Sequence, residues 1–158
     1  MTETQQKVEV SDSWNHKFDI LEKIGANEGL KAYFANYKSL SFGERLKVGF
    51  NILAFIFGPL YYFSKKMWLK GAFVIGAITS LNIVLTIIET AFGTTFPMVI
   101  YQVPGAAICA SLANYDYYRF SRQQETMWGG LPAIFSKQAG AIGFPVVTFV
   151  ILMVILLR

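Results

Sequence analysis

Residues Phe50 to Gly71 read FNILAFIFGPLYYFSKKMWLKG, and this stretch decides the fold. It lies in an apolar run from Val48 to Phe63 that carries Gly58-Pro59 inside it and stops at Lys65, Lys66 and Lys70 around Trp68. An apolar run closed by lysines and an amphipathic ring belongs at a membrane–water boundary. A hydrocarbon core about 30 Å thick needs roughly 17–25 apolar residues per spanning helix, so this run is borderline for a full crossing.

Composition agrees with a membrane setting. Of 158 residues 54% are hydrophobic and only 15% charged, and the mean hydropathy is +0.42, which is too apolar for an ordinary soluble domain. Three further segments approach spanning length: 72–88, 96–112 and 140–157. The expectation is an all-α, polytopic helical membrane protein with three clear transmembrane helices plus a re-entrant or interfacial (or fourth spanning) helix over 45–64. Residues 1–40 form a cytoplasmic N-terminal tail with short helices ahead of a membrane domain over 41–158. No early apolar segment resembles a signal peptide, so these hydrophobic segments direct insertion.

Basic residues set the orientation, because Lys and Arg are retained on the cytoplasmic side. If the central run crosses fully from a cytoplasmic N-terminus, five basic residues lie inside and six outside, and no bias results. If it dips in and returns to the same face, all ten from Lys31 to Lys137 lie inside and only Arg158 outside. Gly58 and Pro59 supply the local chemistry for such a turn, one by tolerating unusual dihedrals and the other by lacking an N–H. Asn51 is the candidate partner for backbone groups freed there. A kinked, tilted full span is the alternative.

The rest of the chain supports these elements. Trp14, Phe18, Leu21 and Ile24 recur at helical spacing after Ser11 to Ser13, with Gly25 as a stop. A second short helix is expected near Glu28 to Tyr37, and Met1 to Ser13 reads as a loose tail. Ser41-Phe-Gly-Glu44 has capping-box spacing, so a helix is expected from Phe42 into the apolar stretch. Gly76 and Ser80 belong to a small-residue ladder on the segment that also holds Asn82, whose amide serves as interhelical glue. Gly105 and Cys109 give the next segment a small face, and Pro104 kinks it. Asn114-Tyr-Asp-Tyr-Tyr-Arg119 mixes aromatic and charged groups as a headgroup-level anchor, and Ser121 to Ala139 reads as a loop.

Ile24-Gly25, Tyr33, Phe50-Asn51, Ala54-Phe55, Phe57-Gly58-Pro59, Lys65-Lys66-Met67-Trp68 and Gly71, followed by Ala113-Asn114 and Tyr117 or Tyr118, form a recognisable set. It resembles the signature of small bacterial inner-membrane proteins grouped as domain of unknown function 2628. The resemblance covers roughly Ile24 to Arg122 and implies a multi-pass bacterial inner-membrane location, with no established activity.

Function is less legible than location. The single histidine, His16, and the single cysteine, Cys109, leave no metal site, disulfide or triad to expect, and no phosphate loop or nucleophile elbow is present. The expectation is a protein that is not an enzyme and has no cofactor, metal or nucleic-acid partner. It meets the lipid bilayer, and a membrane-protein partner or a second copy, through a basic aromatic cytoplasmic face of Lys65, Lys66, Trp68, Lys70, Arg119 and Arg122. The alternative is a subunit of a small transporter or channel that acts as an oligomer.

Overall fold

The computed structural model describes residues 10–157, which form nine α-helices, one 3-10 turn and no strand. They cluster into two units. One holds the described residues up to Asn51 together with Ser111–Glu125, and the other holds Ile52–Ala110 with the described residues from Thr126 onward. The division differs from the boundary expected near residue 40, because Ser111–Glu125 supplies part of the first unit's core.

In the first unit, α1 (Asp12–Lys23) buries Phe18, Ile20 and Leu21. It starts two residues earlier than the apolar spacing suggests, and Ser11 makes no side-chain cap. Most of the expected loose tail, residues 1–9, lies outside the described residues, and Asp12 and Ser13 belong to α1. Gly25 follows at φ +77°, a left-handed conformation that suits glycine. The second helix, α2 (Leu30–Asn36), is shorter than expected and passes into a 3-10 turn at Tyr37–Ser39.

The capping box then forms at α3 (Phe42–Gly49). Ser41 N donates to Glu44 Oε2 at 2.9 Å, and Glu44 N donates to Ser41 Oγ at 3.4 Å. These bonds hold the Glu44 carboxyl below its ordinary range, the Ser41 hydroxyl being the largest cause. The helix does not continue into the apolar stretch as expected. It ends at Gly49 and Phe50 is extended, at φ −139° and ψ 128°. Tyr37 explains part of this stop: its hydroxyl donates to the Arg45 carbonyl at 2.9 Å, and a Cβ on Gly49 would fall 1.9 Å from that hydroxyl oxygen.

The second unit opens with two helices of six residues, α4 (Ile52–Phe57) and α5 (Pro59–Ser64). Gly58 separates them at φ 54° and ψ −130°, and Pro59 takes the first helical position of α5, where its missing N–H costs nothing. At 1.5 Å per residue each helix is about 9 Å long, well short of a 30 Å hydrocarbon core. The central run is therefore a pair of short helices rather than one continuous span.

Next come α6 (Trp68–Phe92), α7 (Met98–Gln123), the short α8 (Ala133–Ser136) and α9 (Gln138–Leu156). The residues of α7 up to Ala110 belong to the second unit, and its later residues belong to the first. Where a loop was expected over Ser121 to Ala139, α7 continues to Gln123 and α8 forms. Among the described residues two helices, α6 and α9, are long and apolar enough to cross a membrane, not the three expected. Gln102, Pro104, Asn114 and a charged C-terminal end interrupt the apolar character of α7. Within the unit α6 packs chiefly on α9, and α5 packs on the start of α6.

Candidate functional site

The first unit is built around the C-terminal half of α7. Asn114 is fully buried there and accepts from Asn51 Nδ2 at 2.8 Å. Its own Nδ2 lies 3.2, 3.1 and 3.4 Å from the carbonyl oxygens of Lys47, Val48 and Phe50. A helix leaves its last carbonyls without intrahelical donors, and this one amide meets several of them where α3 ends. Asn51, which the sequence proposes for the Gly58-Pro59 turn, thus gives its Nδ2 to Asn114. Around this hub Tyr115 packs on Tyr33 at 5.1 Å, and Phe18 packs edge-on against Tyr118 at 5.4 Å. Burial pushes the Tyr115 phenol up to about 12 and raises Tyr33 and Tyr118 as well.

The six residues expected on a basic aromatic face divide into three groups. Lys66 is exposed at φ 63°, and Trp68 is 62% exposed with its ring 5.4 Å from Phe63. Lys65 is half-buried, and desolvation lowers the pKa of its amine. Lys70 does not belong to a surface: it is 0% exposed and its Nζ lies 5.3 Å from the centre of the Trp128 ring. Arg119 is also withdrawn. It pairs with Glu125 and reaches the carbonyls of Asn27, at 2.6 Å, and Ala26, so it fastens the loop after α1. Arg122 is exposed along one side, with its guanidinium 5.4 Å from the Phe18 ring.

The corrections share one cause. In an anchor reading every lysine and arginine beside an apolar segment faces headgroups. Here partners that the fold brings close, Trp128 for Lys70 and Glu125 with the Asn27 carbonyl for Arg119, take these side chains away from the surface. Gln123, whose amide donates to the Asn27 carbonyl at 2.9 Å, reinforces the same fastening. Sequence reading also missed an aromatic cluster in the second unit, where Phe73 meets Trp128, Phe135 and Phe144 at 5.3 to 5.7 Å. The signal was present in Trp128 and Phe135, which sit in a polar, turn-rich segment that otherwise has no use for large rings.

The packing residues occupy close helix contacts. A Cβ on Gly76 would fall 2.4 Å from the Phe144 ring of α9, and one on Gly105 would meet Ile78 of α6 at 3.1 Å. Ser80 donates to the Gly76 carbonyl at 2.8 Å, and Cys109 is buried. A cleft of about 630 Å³ lies in this unit, walled by Phe55 to Pro59 together with Ile78, Asn82, Tyr101, Gln102, Val103, Gly105 and Ala106. Gly58 and Pro59 thus line it alongside Asn82. Among the described residues no group of three His, Cys, Asp or Glu side chains is placed to hold a metal ion.

Compared with known families, residues 3–122 match the one described as "Protein of unknown function (DUF2628)". No curated protein and no solved structure matches the chain. The match includes the Asn51 and Asn114 hub, the Gly58-Pro59 break and the Lys65 to Trp68 turn. Because it covers more than two thirds of the sequence, the chain belongs to the DUF2628 family.

Proposed function

We propose that this protein is a multi-pass integral protein of the bacterial inner membrane, with its N-terminal unit cytoplasmic, and that it acts as a non-enzymatic interaction or scaffold protein. One observation carries the reading: the apolar windows of α6 and α9 are only 17% and 11% buried within the protein. A soluble core helix hides such a surface, whereas a bilayer covers it. The exposed apolar side chains of α4 and α5, among them Ile56 at 65% and Leu60 at 65%, ask for the same cover.

Chain connectivity supports three crossings. The later residues of α7 bond to residues that precede α6, through Asn114 to Lys47 and Val48 and through Arg119 to Asn27. In this reading α6 leaves the cytoplasmic side and α7 brings the chain back to it. The helix α9 then crosses alone, and the C-terminus lies on the outer side. The pair α4 and α5 enters and returns on the cytoplasmic side, since neither helix has the length to cross.

The interacting face is smaller than the sequence implies, because Lys70 and Arg119 are committed internally. In the second unit it consists of Lys66 and Trp68 with part of Lys65, and in the first unit Arg122 is a separate exposed basic residue. Each exposed basic residue contributes about 1 kcal/mol to attraction by anionic lipid. Replacing Lys65, Lys66 and Arg122 together by Gln should weaken retention on anionic vesicles relative to neutral ones, while Lys70→Gln should instead lower stability. Unchanged retention in the triple variant would remove the lipid-facing role.

A further inference from the structure

Among the described residues of the second unit, one buried side-chain polar atom is without a hydrogen-bond partner. The hydroxyls of Thr79, Ser80, Thr86 and Thr90 on α6 each donate to the carbonyl four residues earlier, at 2.8 to 2.9 Å. Asn82 sits among them, and its Oδ1 is buried and accepts no hydrogen bond. A buried acceptor left unpaired is costly, and natural folds keep few of them.

Asn82 is also part of the cleft wall. The cleft's volume of about 630 Å³ falls within the roughly 300–1,000 Å³ of small-molecule sites. Its lining is mostly apolar and partly aromatic, with Phe55, Phe57 and Tyr101, and Gln102 adds an amide. An apolar cleft with a few convergent polar groups is the usual form of a ligand site. The torsion that turns an Asn amide is broad, so a modest rotation presents Oδ1 to the cleft.

Depth selects the ligand, and this step rests on the bilayer reading proposed above. Counted along α6, Asn82 lies roughly 21 Å from the Trp68 end and 15 Å from the Phe92 end. That is near the middle of a hydrocarbon core about 30 Å thick, out of reach of lipid headgroups. A donor from outside the fold that reaches this depth belongs to a neutral molecule that dissolves in hydrocarbon. Phe55, Phe57 and Tyr101 favour a ring, which packs on them edge-on or offset. We infer that the cleft binds a neutral, membrane-soluble molecule of the phenol class, its ring among Phe55, Phe57 and Tyr101 and its hydroxyl donating to Asn82 Oδ1.

The test uses the full chain in native membranes and in detergent, with two photoreactive probes: a diazirine-bearing alkyl phenol and its methyl ether, which cannot donate. The phenol should label the peptides bearing residues 55–59 and 102–106 about five-fold more than the ether, the difference one hydrogen bond makes. Asn82→Leu, which removes the unpaired group at similar volume, should reduce phenol labelling to the ether's level. Ala106→Phe, which fills the cleft, should suppress both probes there. Equal labelling by the two probes, labelling confined to other segments, or a phenol preference that survives Asn82→Leu would each overturn the proposal. Resistance of the same membranes to alkaline carbonate reads the bilayer assignment separately. A carbonate-resistant protein without phenol preference overturns the cleft alone, and a protein released by carbonate overturns the bilayer reading and the depth step with it.

Discussion

Asn114 is the residue on which the first unit depends most. Its side chain is fully buried, accepts from Asn51 and gathers carbonyls at the end of α3. Asn114→Ala leaves Asn51 and those carbonyls to find other partners in a closed space, so a loss of about 2–4 kcal/mol is expected in denaturant unfolding. Asn114→Asp keeps the acceptor for Asn51 but loses the donor to the carbonyls, and should not restore stability. The tyrosines beside it give a pH signature. The fold holds the Tyr115 phenol neutral up to about 12, above an unfolded value near 10. The folded state therefore keeps protons that the unfolded chain releases, and the stability from the neutral phenol is present below about pH 10 and lost as pH rises toward 12. Alkaline titration of phenolate absorbance, set against unfolding at the same pH values, checks both the direction and the window.

At the scale of elements, the sequence spoke clearly wherever chemistry is local. The capping box at Ser41 and Glu44, the break at Gly58-Pro59 and the long apolar helices all follow from neighbours within a few residues of one another. The end of α3 did not, because it is set by Tyr37 and Asn114, one 12 residues before Gly49 and the other more than 60 after it. Lys70 and Arg119 were misread for the same reason: their surroundings come from Trp128, Glu125 and the Asn27 loop, which no spacing rule connects to them. The cleft was invisible as well, although Gly58, Pro59, Asn82 and Gly105 had each been singled out for other reasons.

Three element-scale outcomes follow from glycine geometry. Gly58 adopts a conformation open to few other residues, while nothing lies within 4 Å of an added Cβ. Gly58→Ala should therefore cost about 1–3 kcal/mol through backbone strain alone. Gly43→Ala, inside α3 with equally open space and no positive φ, should be neutral or stabilise by about 0.4–1 kcal/mol. Gly76→Ala drives a methyl into the Phe144 ring and should cost about 1–3 kcal/mol by overpacking. Phe144→Leu should recover much of that loss in the double variant, which a thermal-unfolding cycle in detergent would read. Additive losses would mean that α6 and α9 do not meet at that contact.

For the whole molecule, the outward apolar surface of α6 and α9 supports the proposed bilayer setting. With the short pair α4 and α5 not counted as a crossing, the proposed topology has three crossings between the two ends of the chain. In the proposed function the exposed Lys66 and Trp68 face headgroups or a membrane partner, while Lys70 packs beside Trp128 and Arg119 pairs with Glu125. The most direct measurement is the side of the membrane on which the C-terminus lies. Alkaline phosphatase fused after Arg158 is expected to be active, and a fluorescent protein at the same position dark, with the reverse pattern for fusions at the N-terminus. A fluorescent C-terminal fusion with inactive phosphatase would put both ends on one side and contradict the three-crossing account.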